Sequence, residues 1–257
     1  MPTLARLLLV FATLFLGPLV AMADKLPKDT NKIESLTVEE ARKLAETFPG
    51  AHWQIETSYM SMSADPCLPL NGLDHVDGGV ARALAGYQGM VLSLNGLTTL
   101  DTDAAKALAG YKNSLQLLGL TRLDAGAARA LAGSREWTAQ LPNLRTLEAD
   151  AAKILAALER WDGQLAGLTA FESPDSIAVA QALATRKGPL SLPNLEKISP
   201  KTLSALIEKR DVDIPLIETL EFIQEPDGSP TDDFLIPEWL DERQKQPRPA
   251  GVGKDPP

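Results

Sequence analysis

The stretch Leu92–Tyr111, LSLNGLTTLDTDAAKALAGY, states a rule that much of the chain repeats. Leu92-Ser93-Leu94-Asn95 alternates apolar and polar, the pattern of a short half-buried strand. Gly96 suits a bend or a close approach of backbones. Asp101 then stands where an N-cap is wanted, with a carboxylate able to accept free N–H groups of the following turn. Thr102–Ala109 is a strong helix former, and Gly110 sits where a left-handed C-cap would stop it. One strand, one bend and one short helix predict an α/β unit.

Copies lie on both sides. LPLNGLDHVDGGVARALAGY precedes it from Leu68, and LQLLGLTRLDAGAARALAG follows from Leu115. LPNLRTLEADAAKIL, LAGLTAFESPDSIAVAQAL, LPNLEKISPKTLSALI and IPLIETLEF continue the series from Leu141, Leu165, Leu192 and Ile214, and a weaker first copy begins at Ile33. The equivalent apolar position falls at Leu73, Leu97, Leu120, Leu144, Leu168, Leu195 and Ile217, with successive spacings of 24, 23, 24, 24, 27 and 22. Asp77, Asp124 and Ser199 repeat the cap, while Gly86 and Gly133 repeat the stop. A single unit cannot bury both a strand face and a helix face, so stacking neighbours must complete the core. Ala104, Ala105, Leu108 and Ala109 offer a small-sided helix face that lets the helix sit close to the strands.

On these residues the chain resembles the alanine-rich, irregular leucine-rich repeats of exported bacterial proteins, over roughly Ile33 to Phe222. The resemblance implies an α/β repeat solenoid, an arc with short parallel strands on one face and short Ala-rich helices on the other. It implies a binding or scaffold role and carries over no catalytic residue. The sequence departs from the usual pattern in its partial asparagine ladder: Gly72, Gly96, Gly119 and Gly167 hold a position that becomes Asn143 and Asn194 elsewhere.

Domain boundaries follow from the ends. Arg6, the apolar run Leu7–Val20 and the small-x-small triplet Ala21-Met22-Ala23 read as a secretory signal over residues 1–23. The apolar run is too short for the roughly 20 residues that cross a bilayer, so no stable membrane insertion is expected after cleavage. Residues 24–242 are expected to form one repeat domain with its caps, closed by His52–Met62 at one end and by Phe222, Phe234, Leu235, Ile236 and Trp239 at the other. Residues 243–257 are Pro-rich and polar, and read as a disordered tail. The expected destination is the periplasm, the cell surface or the medium.

A net charge of −9 argues against nucleic acid, which requires a basic stripe. The single cysteine, Cys67, cannot form an internal disulfide and reads as a small core residue. Asp74–Gly79 lacks the carboxylate spacing of a calcium loop, so Asp77 is read as a helix cap, and Glu225–Asp233 as solvated acidic turns. His52 and His75 belong to no catalytic or ligand motif, and neither a metal nor a cofactor is expected. Trp137 and Trp161, one repeat apart, read as packed rather than as ligand anchors.

Binding is expected on the outward strand positions, a mild polar strip made of Ser93, Asn95, Gln116, Gln140, Gln164 and Ser191. Pro69 and Asp213 extend its first column. The partner class is a protein, a peptide or a glycan. A self-associating component of the cell envelope is the alternative, with an accessory domain of a hydrolase behind it.

Overall fold

The computed structural model describes residues 29–48, 67–230 and 236–245. The expected signal segment, the expected N-terminal cover His52–Met62, Phe234, Leu235 and the tail from residue 246 lie outside these residues.

In chain order the elements are α1 (Val38–Thr47), β1 (Cys67–Pro69), α2 (Gly78–Leu84), β2 (Val91–Ser93), α3 (Thr102–Leu108), β3 (Ser114–Gln116), β4 (Arg122–Leu123), α4 (Ala125–Ala132), β5 (Thr146–Leu147), α5 (Ala149–Ala156), α6 (Ser176–Ala184), β6 (Leu190–Ser191), β7 (Lys197–Ile198), α7 (Pro200–Ile207), β8 (Val212–Asp213), β9 (Glu221–Phe222) and α8 (Glu238–Lys245). From α1 to α7 each helix packs on the next.

All strand pairs are parallel, and their register equals the sequence spacing. Leu68 pairs with Leu92, Leu92 with Leu115, Gln164 with Ser191 and Leu190 with Val212, at separations of 24, 23, 27 and 22. Pairing at one-unit offsets stacks like residues on like. The inward leucines Leu68, Leu92, Leu94, Leu97, Leu117 and Leu120 are all fully buried, each contributing about 1.5–3 kcal/mol of burial.

From the unit of β4 onward there is a second strand position that the alternation pattern did not reveal. It lies between the bend and the helix, where β4 pairs with β5 and β7 with β9. The apolar residue that immediately precedes or nearly precedes each helix, such as Leu123 or Ile198, is its inward side chain.

Caps form where the spacing predicts them. Asp101 Oδ1 accepts the N–H of Ala104 at 2.7 Å, Asp124 Oδ1 that of Ala127 at 2.7 Å, and Asp77 Oδ1 those of Gly79 and Val80. The stops differ from expectation. Gly133 has φ −71°, and neither Gly86 nor Gly110 has a positive φ. These helices end in a tightened right-handed turn, with the N–H groups of Gly86, Gly110 and Gly133 donating to the carbonyls three residues back.

The bend glycines answer to a different constraint. A Cβ on Gly96 would lie 2.2 Å from the Asn71 carbonyl oxygen, and one on Gly119 2.0 Å from that of Asn95. Adjacent bends touch backbone to backbone.

Two units break the first strand column. Ala139 and Gly163 stand where the other units place an inward Leu or Val, and both have positive φ, +57° and +79°. The left-handed backbone ends regular pairing around Leu141, so the strand expected there is absent. Trp137 and Trp161, each two residues ahead of these small positions, are fully buried and restore the missing core volume.

Contacts at each end tie the outer segments to the units beside them. At the start, Thr30 Oγ1 donates to the Pro69 carbonyl and Asn31 Oδ1 accepts the N–H of Asn71 at 3.2 Å. At the finish, Leu240 of α8 is buried, and Gln244 bonds the N–H of Ile217 and the carbonyl of Pro215. Phe222 and Ile236, expected as cover, remain 44% and 47% exposed. α8 runs to Lys245, past the boundary expected at residue 242, because Gln244 docks on the last unit and Lys245 pairs with Asp241 at 2.6 Å. Glu225 is not a solvated turn. It is 4% exposed, accepts from Ser199 Oγ and the Lys201 N–H, and so completes the N-terminus of α7.

Candidate functional site

The predicted polar strip divides into an inner and an outer part. Ser93 is not an exposed position: it is 3% accessible, donates to Asn71 Oδ1 at 2.8 Å and accepts from Asn95 Nδ2 at 3.0 Å. Pro69 is buried as well. Asn95 is half-buried, and its Oδ1 accepts the N–H of Leu118 at 2.9 Å. Small side chains flanked by inward-leaning asparagines are roofed over, which a strand-alternation rule cannot foresee. These polar groups are spent on holding neighbouring units together.

Further along the strip the side chains are free. Gln140 and Gln164 are exposed and Gln116 is half-buried. Among the described residues, none of their three amide groups makes a hydrogen bond. Ser191, half-buried, donates to Asp213 Oδ2 at 3.1 Å. Gln116, Gln140 and Gln164 thus hold the same position of three successive units, each with its side-chain amide unengaged.

A second feature was not foreseen. Each basic residue of a ladder on the helix-to-strand side reaches back one unit. Arg160 donates to the carbonyls of Trp137 and Ala132 at 2.7 and 2.8 Å. Arg186 donates to Pro189 at 2.9 Å, to Leu158 at 3.1 Å and to Trp161, and its guanidinium lies 4.8 Å from the Trp161 ring centroid. Lys209 donates to the Arg186 carbonyl at 2.8 Å and pairs with Asp211 at 2.7 Å. Burial holds the Arg186 guanidinium below its ordinary pKa, and each of its three nitrogens donates to a carbonyl. The hollow of about 500 Å³ beside it, lined by Ala157, Glu159 and Lys187, borders a side chain already engaged in structure.

The third feature is a cleft of about 400 Å³ beside the second strand column, between β5 and Thr169–Phe171. Arg145 N–H donates to Thr121 and Glu196 N–H to Thr169, but no described hydrogen bond joins Arg145–Leu147 to Thr169–Phe171. Its origin is visible in the sequence. The unit containing it has the one 27-residue spacing, with Glu172-Ser173-Pro174-Asp175 intervening before α6. Arg122, Arg145, Glu148, Glu172, Asp175 and Ser176 border it.

The remaining candidates are quiet. Cys67 is half-buried on β1, and burial raises its thiol pKa. Tyr87 and Tyr111 stack at 6.5 Å between centroids, with Tyr111 Oη donating to Gly89 at 2.6 Å. His75 is exposed, and His52 lies outside the described residues. Among the described residues no cluster of His, Cys, Asp or Glu is arranged to hold a metal ion, and no helix is long and apolar enough to cross a membrane.

Comparison with protein-family models, with curated proteins and with solved structures finds no match to this chain.

Proposed function

We propose that the chain is an exported, leucine-rich-repeat-like solenoid that holds a protein, peptide or glycan on its strand face and performs no chemistry of its own. The observation that carries this reading is the contrast along one column of residues. Ser93, Asn95 and the side-chain oxygen of Asn71 are engaged between units, whereas Gln116, Gln140 and Gln164 offer unpaired amides on three successive units. An amide has two donors and an acceptor with two lone pairs, so such a run suits hydrogen bonding to an extended peptide backbone or to sugar hydroxyls. The acids support a structural accounting rather than a catalytic one: Asp77, Asp101, Asp124, Glu40 and Glu225 each cap a helix.

The test is affinity capture from envelope extract with the mature chain as bait, beside a bait carrying Gln116→Arg, Gln140→Arg and Gln164→Arg. A partner retained by the first and lost by the second supports the reading. Identical captures from both baits would overturn it.

A second reading is favoured by one observation. Phe222 and Leu216 leave apolar surface exposed in the last unit, as end-to-end self-association in a cell-envelope assembly would require. Sedimentation showing reversible, concentration-dependent growth that Phe222→Ser abolishes would favour it.

A further inference from the structure

The cleft between β5 and Thr169–Phe171 gathers features that the rest of the chain does not combine. Side chains cap the N-termini of α1, α2, α3, α4 and α7. Those of α5 and α6 have no side-chain cap bond, and their cap residues, Glu148 and Asp175, both border the cleft. In α6 the Ser176 N–H is taken by the Ser173 carbonyl at 2.9 Å, which leaves the N–H groups of Ile177 and Ala178 and the positive end of the helix dipole without an acceptor. Ser176, at the first position of α6, lines the same cleft. It is 2% exposed, and its hydroxyl has no hydrogen-bond partner. A buried hydroxyl without an acceptor is costly unless something supplies one.

Two guanidinium groups complete the set. Arg122 and Arg145 stand on successive units at the cleft wall, and among the described residues neither pairs with a carboxylate or donates a side-chain hydrogen bond. The other basic side chain in the neighbourhood, Lys197, is occupied between Glu172 at 3.8 Å and Glu221 at 3.6 Å.

The bends ahead of the cleft touch backbone to backbone, a Cβ on Gly167 lying 2.5 Å from the Asn143 carbonyl carbon. The volume of about 400 Å³ beyond them suits a small group. Glu148, Glu172 and Asp175 at the border repel a polyanion, and among the described residues no group of acids is arranged to hold a metal.

We propose that this cleft is an oxyanion site, in which a single carboxylate or phosphate group is bound by Arg122 and Arg145 and by the uncapped first turn of α6 with the Ser176 hydroxyl. The site uses the pairing of planar guanidinium donors with a planar or tetrahedral oxyanion, and the anion affinity of a helix N-terminus. The intervening residues Glu172–Asp175 create it, by separating the end of the strand column from the helix that would otherwise follow directly.

The test is a titration of the isotope-labelled full chain, followed by amide and arginine Nε resonances. The probes are inorganic phosphate and N-acetylglycine, against sodium chloride at matched ionic strength. Saturable shifts at Ser176–Ala178 and at Arg122 and Arg145 Nε are expected with at least one probe. Which probe saturates at lower concentration separates a phosphate source from a carboxylate source. Arg122→Gln with Arg145→Gln should weaken the response at least about tenfold, Ser176→Ala should weaken it less, and Lys187→Gln should leave it unchanged. The Gln116, Gln140 and Gln164 triple variant should titrate as the unaltered chain does, so a failure here is separable from a failure of the strand-face reading. Shifts that are linear in concentration, that spread over other basic residues, or that survive in the double arginine variant would overturn the proposal. The paired arginines are exposed, and thermal melting of the double variant controls for its folding.

Discussion

The side-chain oxygen of Asn71 accepts the backbone N–H of Asn95 at 2.9 Å, and Asn95 repeats the contact one unit on by accepting the N–H of Leu118 at 2.9 Å. Each asparagine thus supplies an acceptor to the bend of the next unit, where the backbone has turned out of the strand and lost its ladder partner. Asn143 and Asn194 make the complementary contact from the bend itself, donating through Nδ2 to the carbonyls of Leu118 and Ala166. The ladder changes its direction of donation partway along the chain.

Asn95→Ala should therefore cost about 1–3 kcal/mol, since it strands the Leu118 N–H and leaves Ser93 without its donor. Asn95→Asp, which keeps the acceptor, should cost less. Urea unfolding of both variants measures this, and equal losses would show that the acceptor is not what matters.

Glycines that look alike in the sequence should respond in opposite ways. Gly96→Ala drives a Cβ against two carbonyl oxygens, at 2.2 and 2.5 Å, and should destabilise by several kcal/mol. Gly110→Ala meets only the Ala107 oxygen at 3.2 Å on a right-handed backbone, and should be neutral or stabilising by up to about 1 kcal/mol. Thermal melts of the pair decide it, and matching behaviour would exclude the close approach of bends.

Arg186 joins three carbonyls from two successive units beneath the Trp161 ring. Arg186→Lys retains a charge but loses the planar fork, leaving carbonyls unmet and a buried cation less well satisfied. A loss of about 2 kcal/mol is expected, with a change in Trp161 fluorescence as a local signature. Unaltered stability would show that water replaces the fork without cost.

Acid should weaken the first unit. Bonds from the Thr37 N–H and hydroxyl to Glu40, at 2.9 and 2.8 Å, hold that carboxyl below its ordinary pKa. A carboxyl lowered in the folded state stabilises fully above its unfolded pKa, about 4.3, and the contribution is lost as pH falls through the folded value. The stability gap between the unaltered chain and Glu40→Gln should be full at pH 7, under about 1 kcal/mol for so exposed a contact, and should close on acidification. A gap that stays constant to low pH would assign the effect to packing instead.

Much of the unit was legible in the residues because each signal has a local cause. Asp101 caps a helix through a bond to a backbone group three residues away, and Leu92 and Leu94 share a strand face whatever lies beyond them. The spacing of Leu73, Leu97 and Leu120 translates directly into strand register, since identical units stack with identical offsets. Trp137 and Trp161 read as packed side chains and are buried. What escaped was the reason for them: Ala139 and Gly163 empty a core position that only the stacked structure shows to be shared.

The candidate sites divide along the same line. The polar character of Ser93 and Gln140 is written in the chain, but their accessibility is not, because burial of a small side chain depends on neighbours 22 to 24 residues away. The cleft at Arg122 and Arg145 was present in the sequence only as a long spacing. By itself the sequence determined the repeat, its period and its caps, which depend on interactions within one unit. The tertiary structure alone decided which polar groups are spent between units and which are left for a ligand, since that balance depends on how closely successive backbones approach.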